Sequence, residues 1–264
     1  MRLEEHFALS RPAFPRAATK ESMLMNPAIE NILGRLHFAL QRDTIALLVA
    51  ESGCGKSMVT SLFAQSLDAA SYNVMTTSLT TLNPFSFIAS LMATTGLPGR
   101  RFKGETAASL LRHMRSQPKR TVVIIDEAHL LPDNSLEDLR LLTADDLDRR
   151  SLFALVLVGQ PMLRDRIAEP QHYALLQRIG VRLRLRPLTE EEVKLFLERH
   201  IKAAGGNKRI FEPGAIREIF HHSRGIPRLV QNIALDAMLA AMSAGKETVD
   251  AEAVQQAIVD MDSM

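Results

Sequence analysis

The sequence contains a single cysteine, no tryptophan, and only 5% aromatic residues. One cysteine excludes both a disulfide framework and a cysteine-based zinc site, so nothing in the chain calls for an oxidising compartment. Long apolar runs are also missing. The longest, 45–50 and 152–158, fall far short of the ~20 residues a membrane helix needs. The opening residues Met1-Arg2-Leu3-Glu4-Glu5-His6 lack the apolar core of a signal peptide. These absences give the expectation of a cytoplasmic protein with no membrane partner. A charge excess of one sign is absent too, with 32 Lys and Arg against 30 Asp and Glu, a net +2. As a bulk figure that argues neither for nor against nucleic acid, unless it conceals a local asymmetry. What is present is a chain of 264 residues, 46% apolar, which excludes disordered and fibrous classes. Its length allows one large α/β domain, alone or with a small companion.

Five short β-branched or apolar runs, 44–49, 73–78, 121–126, 152–159 and 180–186, read as strands. Amphipathic stretches at 56–67, 84–95, 106–116 and 135–147 alternate with them, the pattern of a parallel sheet wrapped by helices. Beyond Arg186 the period changes. Thr189 with Glu192 three residues on forms a capping box, and helical patterns follow at 190–203, 213–222, 228–242 and 251–261 with no further strand signal. The expected organisation is an N-terminal arm or packing strap over 1–25, broken by Pro12 and Pro15, an α/β domain over 26–187, and a helical lid over 188–264. There is no internal repeat and no low-complexity tract.

Directly after the first strand stands Ala50-Glu51-Ser52-Gly53-Cys54-Gly55-Lys56-Ser57, and a helix begins at its end. This is the Walker A arrangement. Successive backbone N–H groups and a helix N-terminus cradle phosphates, Lys56 reaches the outer ones, and the Ser57 hydroxyl binds Mg²⁺. The expected nucleotide contacts are Ser52, Gly53, Cys54, Gly55, Lys56, Ser57 and Met58. The sequence departs from G-x-x-x-x-G-K-[ST] at one place, where Ala50 replaces the first glycine; that position ends the strand, and a small geometric adjustment is expected there. Cys54 reads as a bystander in the loop, with a redox role as the alternative.

The apolar run 121–125 ends in Asp126-Glu127-Ala128-His129. Two adjacent carboxylates at the C-terminal end of a buried strand form the Walker B layout: Asp126 holds Mg²⁺, directly or through its water, and Glu127 polarises the attacking water. Two acids after a strand can also serve only as a helix N-cap, a reading that weakens downstream of a phosphate loop. For His129, coupling to the site and surface exposure stay equally open. His221 and His222 read as solvated lid residues.

The phosphate loop, the 126–129 box, the strand-end Val158-Gly159-Gln160-Pro161 and the segment Gly225-Ile226-Pro227-Arg228 together resemble AAA+ ATPases. More narrowly, His6-Phe7-Ala8-Leu9 with Pro12-Ala13-Phe14, the helix at 139–143, and Gln177-Arg178-Ile179 before Arg186-Pro187-Leu188 look like the ExeA, TniB and TnsC group, across nearly the whole chain. The resemblance implies an α/β fold of the AAA+ P-loop NTPase type, with a five-stranded parallel sheet flanked by helices and a small all-helical lid domain after it. It also implies ATP and Mg²⁺ as cofactors and a nucleotide held between subunits of a homo-oligomer. Gln160 would be sensor one, Arg228 sensor two, and a neighbouring protomer would supply an arginine finger. Arg178 is the favoured finger because it precedes the fifth strand. Arg182 remains the alternative, while Arg182, Arg184 and Arg186 can simply line one solvated face. An arginine finger is worth roughly 10³ to 10⁵ in rate, so hydrolysis would depend on assembly.

The neutral total does conceal an asymmetry. Between 99 and 120 lie Arg100, Arg101, Lys103, Arg112, Arg115, Lys119 and Arg120 against the single acid Glu105. Asp133, Glu137, Asp138, Asp145, Asp146 and Asp148 follow, opposed by Arg140, Arg149 and Arg150. Repeated around a channel, such a basic stripe would touch phosphates without reading bases, giving sequence-tolerant, salt-sensitive binding of duplex DNA. Arg100, Arg101, Lys103, Lys119, Arg149 and Arg150 are the candidates; the alternative is a solvated helix face. The resemblance favours an ATPase regulator of DNA transposition, in which ATP drives ring or filament assembly on DNA, a targeting protein and a transposase are recruited, and hydrolysis disassembles the assembly. Two other readings are an ExeA-like envelope-assembly ATPase and a helicase-loader-like scaffold. The short stretch after the last helix argues against the ExeA-like reading, which expects a membrane segment and a wall-binding module there.

Overall fold

A computed structural model of the chain describes residues 2–15, 24–78, 83–143, 151–206 and 209–262. It divides into two compact units. One comprises Pro27–Ser52 and Lys56–Leu185; the other comprises Met1–Asn26, Gly53–Gly55 and Arg186–Met264.

The larger unit is built on β1 (Ile45–Val49), β2 (Tyr72–Thr77), β3 (Arg120–Ile125), β4 (Phe153–Gly159) and β5 (Ile179–Arg184), paired in parallel in the order β2-β3-β4-β1-β5. β1 and β4 are buried along their whole length, as central parallel strands must be when helices cover both faces. β5 lies at an edge and alternates, with Val181 and Leu183 inward and Arg182 and Arg184 exposed. The helices are α2 (Pro27–Gln41), α3 (Lys56–Ser66), α4 (Pro84–Ala93), α5 (Lys103–Ser116), α6 (Asp133–Leu142), α7 (Pro161–Ile167) and α8 (Tyr173–Arg178). α4 starts at Asn83, whose side chain accepts from Ser86 N at 2.9 Å, followed by proline in the first turn. Fully buried Phe87, Leu110, Val123, Leu136 and Leu157 belong to one apolar core shared by α4, α5, α6 and the sheet.

Register decides what the sheet presents. Val49 pairs with Gly159, Leu47 with Leu157, and Leu157 with Ile125. The chain therefore leaves β1, β3 and β4 at one edge of the sheet, at the carboxyl ends where open α/β sheets bind ligands. The residues that follow these strands are Ala50, Asp126 and Gln160.

The smaller unit contains α1 (Leu3–His6), α9 (Glu190–Ala203), α10 (Pro213–Ser223), α11 (Pro227–Ser243) and α12 (Ala251–Asp262). Its core gathers Val193, Leu197, Ile219, Met238 and Val254 with the small Ala234, Ala237 and Ala241 of α11. Phe7, Leu9 and Ala13 of the N-terminal arm are buried in this same core, and Ser10 N and Arg11 N both donate to Ala204 O. Among the described residues of the arm, 7–13 thus pack on the helical core. Thr189 and Glu192 form the expected capping box, and Glu192 also takes two bonds from the Arg186 guanidinium at 2.6 and 3.0 Å. An isolated parallel bridge between Phe211 and Val249 adds a β contact that the sequence pattern did not signal.

Candidate functional site

The phosphate loop has the backbone its glycines allow. Gly53 and Gly55 stand at φ +81° and +95°, conformations that other residues adopt only with strain. α3 begins at Lys56, placing a helix N-terminus at the loop's end. Lys56 is buried, and its ammonium donates to Ala50 O at 3.0 Å and Glu51 O at 3.2 Å. Ala50 is itself buried at 1% exposure, so a residue with a small side chain suffices at the strand end where the usual pattern has glycine. Cys54 is buried, whereas Ser52 and Ser57 are exposed and Met58 is half-buried.

The Ser57 hydroxyl donates to Asp126 Oδ2 at 3.0 Å, which joins the first turn of α3 to the end of β3. Asp126 N donates to Thr77 O, and Asp126 Oδ1 accepts from Glu127 N at 2.8 Å. A hydroxyl beside a carboxylate is the hard oxygen set that suits Mg²⁺. Together with the glycine backbone and the buried Lys56, it fits a Mg²⁺-nucleotide. Glu127 lies at φ +52°, ψ +32°, in the left-handed region without being glycine, and is half-buried. His129 is buried at 6% exposure with Nε2 3.6 Å from Glu127 Oε2, so of the two readings left open for it, coupling to the acidic pair is the one the geometry carries.

Gln160 occupies the N-cap position of α7, directly after β4, without a side-chain capping bond. Arg178 ends α8 directly before β5 and donates from Nη1 to Thr143 O at 3.4 Å, while exposed Arg182 donates from Nη2 to Leu176 O at 3.5 Å.

In the helical unit, Arg228 N donates to Gly53 O at 3.2 Å. A Cβ built at Gly53 would stand 3.0 Å from both Arg228 Cβ and Ile226 Cγ2. Arg228 lies in the first turn of α11, and its residue is exposed. His221 and His222 are exposed, as read from the sequence.

Three residues of the basic stripe have partners within the chain. Lys103 donates to both carboxylate oxygens of Asp138, at 2.8 and 2.9 Å, tying α5 to α6. Its ammonium thus pairs with an acid from the block read as a separate patch, while the Lys103 side chain stays 45% exposed. Lys119 donates to Ala69 O at 2.8 Å, and Arg120 pairs with Asp43. Arg100 and Arg101 remain exposed, with the Arg101 guanidinium 5.4 Å from the Phe102 ring centre. Arg149 and Arg150 lie outside the described residues.

One group that sequence reasoning missed adjoins Glu127. The Arg166 guanidinium donates to His129 O at 2.7 Å, Leu131 O at 2.9 Å and Asp133 Oδ1 at 2.5 Å. Buried His172 bonds the same Asp133 oxygen at 3.1 Å. The hydrogen bond from Arg166, then that from His172, hold the Asp133 carboxyl below the usual carboxylate range. No motif marks an arginine that grips backbone carbonyls.

Residues 39–167 match the family described as AAA domain. The chain is 32% identical over 254 residues to General secretion pathway protein A of Aeromonas hydrophila, covering 93% of the chain and 46% of that protein. It thus spans about half the length of the curated relative it matches. Among solved structures it resembles the Aeropyrum pernix ORC1 protein in complex with DNA, with TM-score 0.70 and 18% identity over 91% of this chain and 67% of that one. The Thermotoga maritima RuvB Holliday junction branch migration motor is similar at TM-score 0.60 and 22% identity, over 87% of this chain and 68% of that one. At these identities the structural likeness is one of fold. Sheet order, phosphate loop and acidic pair agree on an AAA+ P-loop fold, and the match to the family described as AAA domain lies over residues 39–167 of it.

Proposed function

We propose that this protein binds ATP with Mg²⁺ and hydrolyses it to ADP and phosphate as a self-assembling AAA+ ATPase. The observation that carries this reading is the Ser57–Asp126 bond beside buried Lys56, with Glu127 the next residue in the chain. Lys56 neutralises the outer phosphates, while Ser57 and Asp126 hold the cation, which supplies charge stabilisation to the transferred phosphoryl group. Glu127 orients and polarises the attacking water. Gln160 and Arg228 sense the phosphates, and Arg178 from a neighbouring protomer completes the charge stabilisation. Turnover per protomer that rises with protein concentration, and is lost in Arg178→Ala, tests the assembly requirement. Turnover independent of concentration contradicts it.

For the assembly's role, two readings have specific support. Exposed Arg100 and Arg101, with the motif resemblance, support ATP-dependent loading on duplex DNA, with recruitment of a transposase and a targeting protein. The 32% identity to General secretion pathway protein A supports the envelope-assembly reading. That similarity covers part of a longer protein, so the short stretch after α12 does not separate the two. Electron microscopy with ATP, Mg²⁺ and duplex DNA does: ordered rings or helices on DNA support the first reading, and particles indifferent to DNA support the second.

A further inference from the structure

Glu127 sits in a backbone conformation that costs about 1 kcal/mol or more for a residue with a Cβ, so its surroundings must impose it. Within the segment, Leu130 N donates to Glu127 O and Leu131 N to Ala128 O, closing a single 3₁₀ turn over Ala128–Leu130. The turn has only these two hydrogen bonds of its own to hold the Glu127 conformation. Two outside contacts hold it. On one side stands Gly159, where an added Cβ would lie 3.2 Å from His129 N and 2.8 Å from Leu163 Cδ2. On the other, Arg166 spans the carbonyls of His129 and Leu131 and reaches Asp133. The turn is thereby clamped at its own backbone, and the buried His129 ring comes to rest against the Glu127 carboxylate.

Both contacts belong to the strand and helix that flank Gln160. Gly159 precedes it, Gln160 is the N-cap of α7, and Arg166 lies in the last turn of that seven-residue helix. Leu163 and Ile167 of α7 are fully buried, which makes the helix a rigid connection between its two ends.

We infer that Arg166 is a positioning residue for Glu127, and that α7 couples the placement of Gln160 to the orientation of the Glu127 carboxylate. This rests on the reading of Glu127 as the group that activates water. Arg166 touches no reacting atom; it acts through the backbone of residues 129–131. The planar guanidinium is required because it delivers parallel N–H donors to two carbonyls and a carboxylate at once, which one ammonium on a flexible stem cannot do.

The test uses the full chain with Arg166→Ala, Arg166→Lys, Glu127→Gln and the double variant Glu127→Gln/Arg166→Ala. ATP hydrolysis is measured with labelled ATP, and nucleotide affinity with a fluorescent ATP analogue. Arg166→Ala is expected to lower kcat about 10- to 100-fold. Nucleotide Kd stays within about twofold, so the loss falls on turnover, where a merely structural role would not confine it. Arg166→Lys falls between wild type and Arg166→Ala. In the Glu127→Gln background, Arg166→Ala has no further effect on the residual rate, because its target is already gone. An Arg166→Ala kcat at the wild-type level, or the same fold loss with and without Glu127, overturns the inference. If Arg166→Ala does not fold, Arg166→Lys decides alone, and wild-type kcat in it overturns the inference. Wild-type turnover in Glu127→Gln instead overturns the underlying reading of Glu127.

Discussion

Gly225→Ala should destabilise the protein by several kcal/mol, although it adds only one methyl group. Gly225 stands at φ +72°, directly after Arg224 at +50°, in the turn between α10 and α11. Alanine in that conformation costs about 1–2 kcal/mol by itself. The new Cβ would fall 1.9 Å from Leu188 O and 2.9 Å from Leu188 C, both backbone atoms. The contact is relieved only if the two backbone segments separate. Separation breaks the bond from Leu188 N to Gly225 O, at 2.8 Å, and disturbs that from Gly225 N to Ser223 Oγ, at 3.2 Å. Each is worth about 1 kcal/mol, which brings the expected loss to about 2–4 kcal/mol. Urea denaturation followed by far-ultraviolet circular dichroism measures it, with Gly34→Ala as the opposite control. Gly34 lies inside α2 with nothing within 4 Å of the place a methyl group would take, so alanine there should stabilise by about 0.5–1 kcal/mol. A Gly225→Ala variant within about 0.5 kcal/mol of wild type would refute the reasoning.

Burial holds the His200 pKa below the ordinary histidine value, outweighing the hydrogen bond to Phe196 O that favours its charged form. Above about pH 6.5 the ring is neutral in folded and unfolded chains alike; as pH falls below that, the unfolded chain takes a proton the folded one resists, and stability is lost. Denaturation midpoints should therefore drop on acidification and drop less in His200→Gln; an equal drop in both contradicts the assignment. Asp126→Asn, which removes the charge that accepts from Ser57, should weaken Mg²⁺-dependent nucleotide binding about 10- to 100-fold, and a titration showing unchanged Mg²⁺ dependence would count against the cation site. Arg100→Ala/Arg101→Ala should reduce the slope of log affinity for duplex DNA against log salt by about 2, and an unchanged slope removes both residues from any DNA interface.

The strands were legible because buried parallel strands are continuous β-branched runs, and β1, β3 and β4 were each located to within a residue at either end. The phosphate loop was legible because strand, glycines, lysine and helix must follow one another in the chain. α2 went unassigned even though Ile29, Ile32, Leu36, Ala39 and Leu40 fall on one helical face, because it lies outside the strand-helix alternation used to place the others. α7 and α8 are too short to establish a period; α7 buries only Leu163 and Ile167. The helix expected over 135–147 is described as α6 over Asp133–Leu142, and its later residues lie outside the description. Charges were the least legible. Counting along the chain separates a basic block from an acidic one, yet Lys103 and Asp138, 35 residues apart, cancel each other across two helices. Arg166 left no trace in the sequence for a similar reason, since its partners are mostly backbone carbonyls brought near by the fold.

In the proposed function, the Asp126-Glu127 pair and the phosphate loop together turn over ATP. The direct measurement is steady-state phosphate release from ATP with Mg²⁺, for wild type and Glu127→Gln, at a protein concentration where both bind nucleotide equally. Wild type should turn over ATP, and Glu127→Gln should lose about 10²-fold or more of that rate with nucleotide affinity retained. Equal rates in the two proteins, or no release by wild type at any concentration, would contradict it.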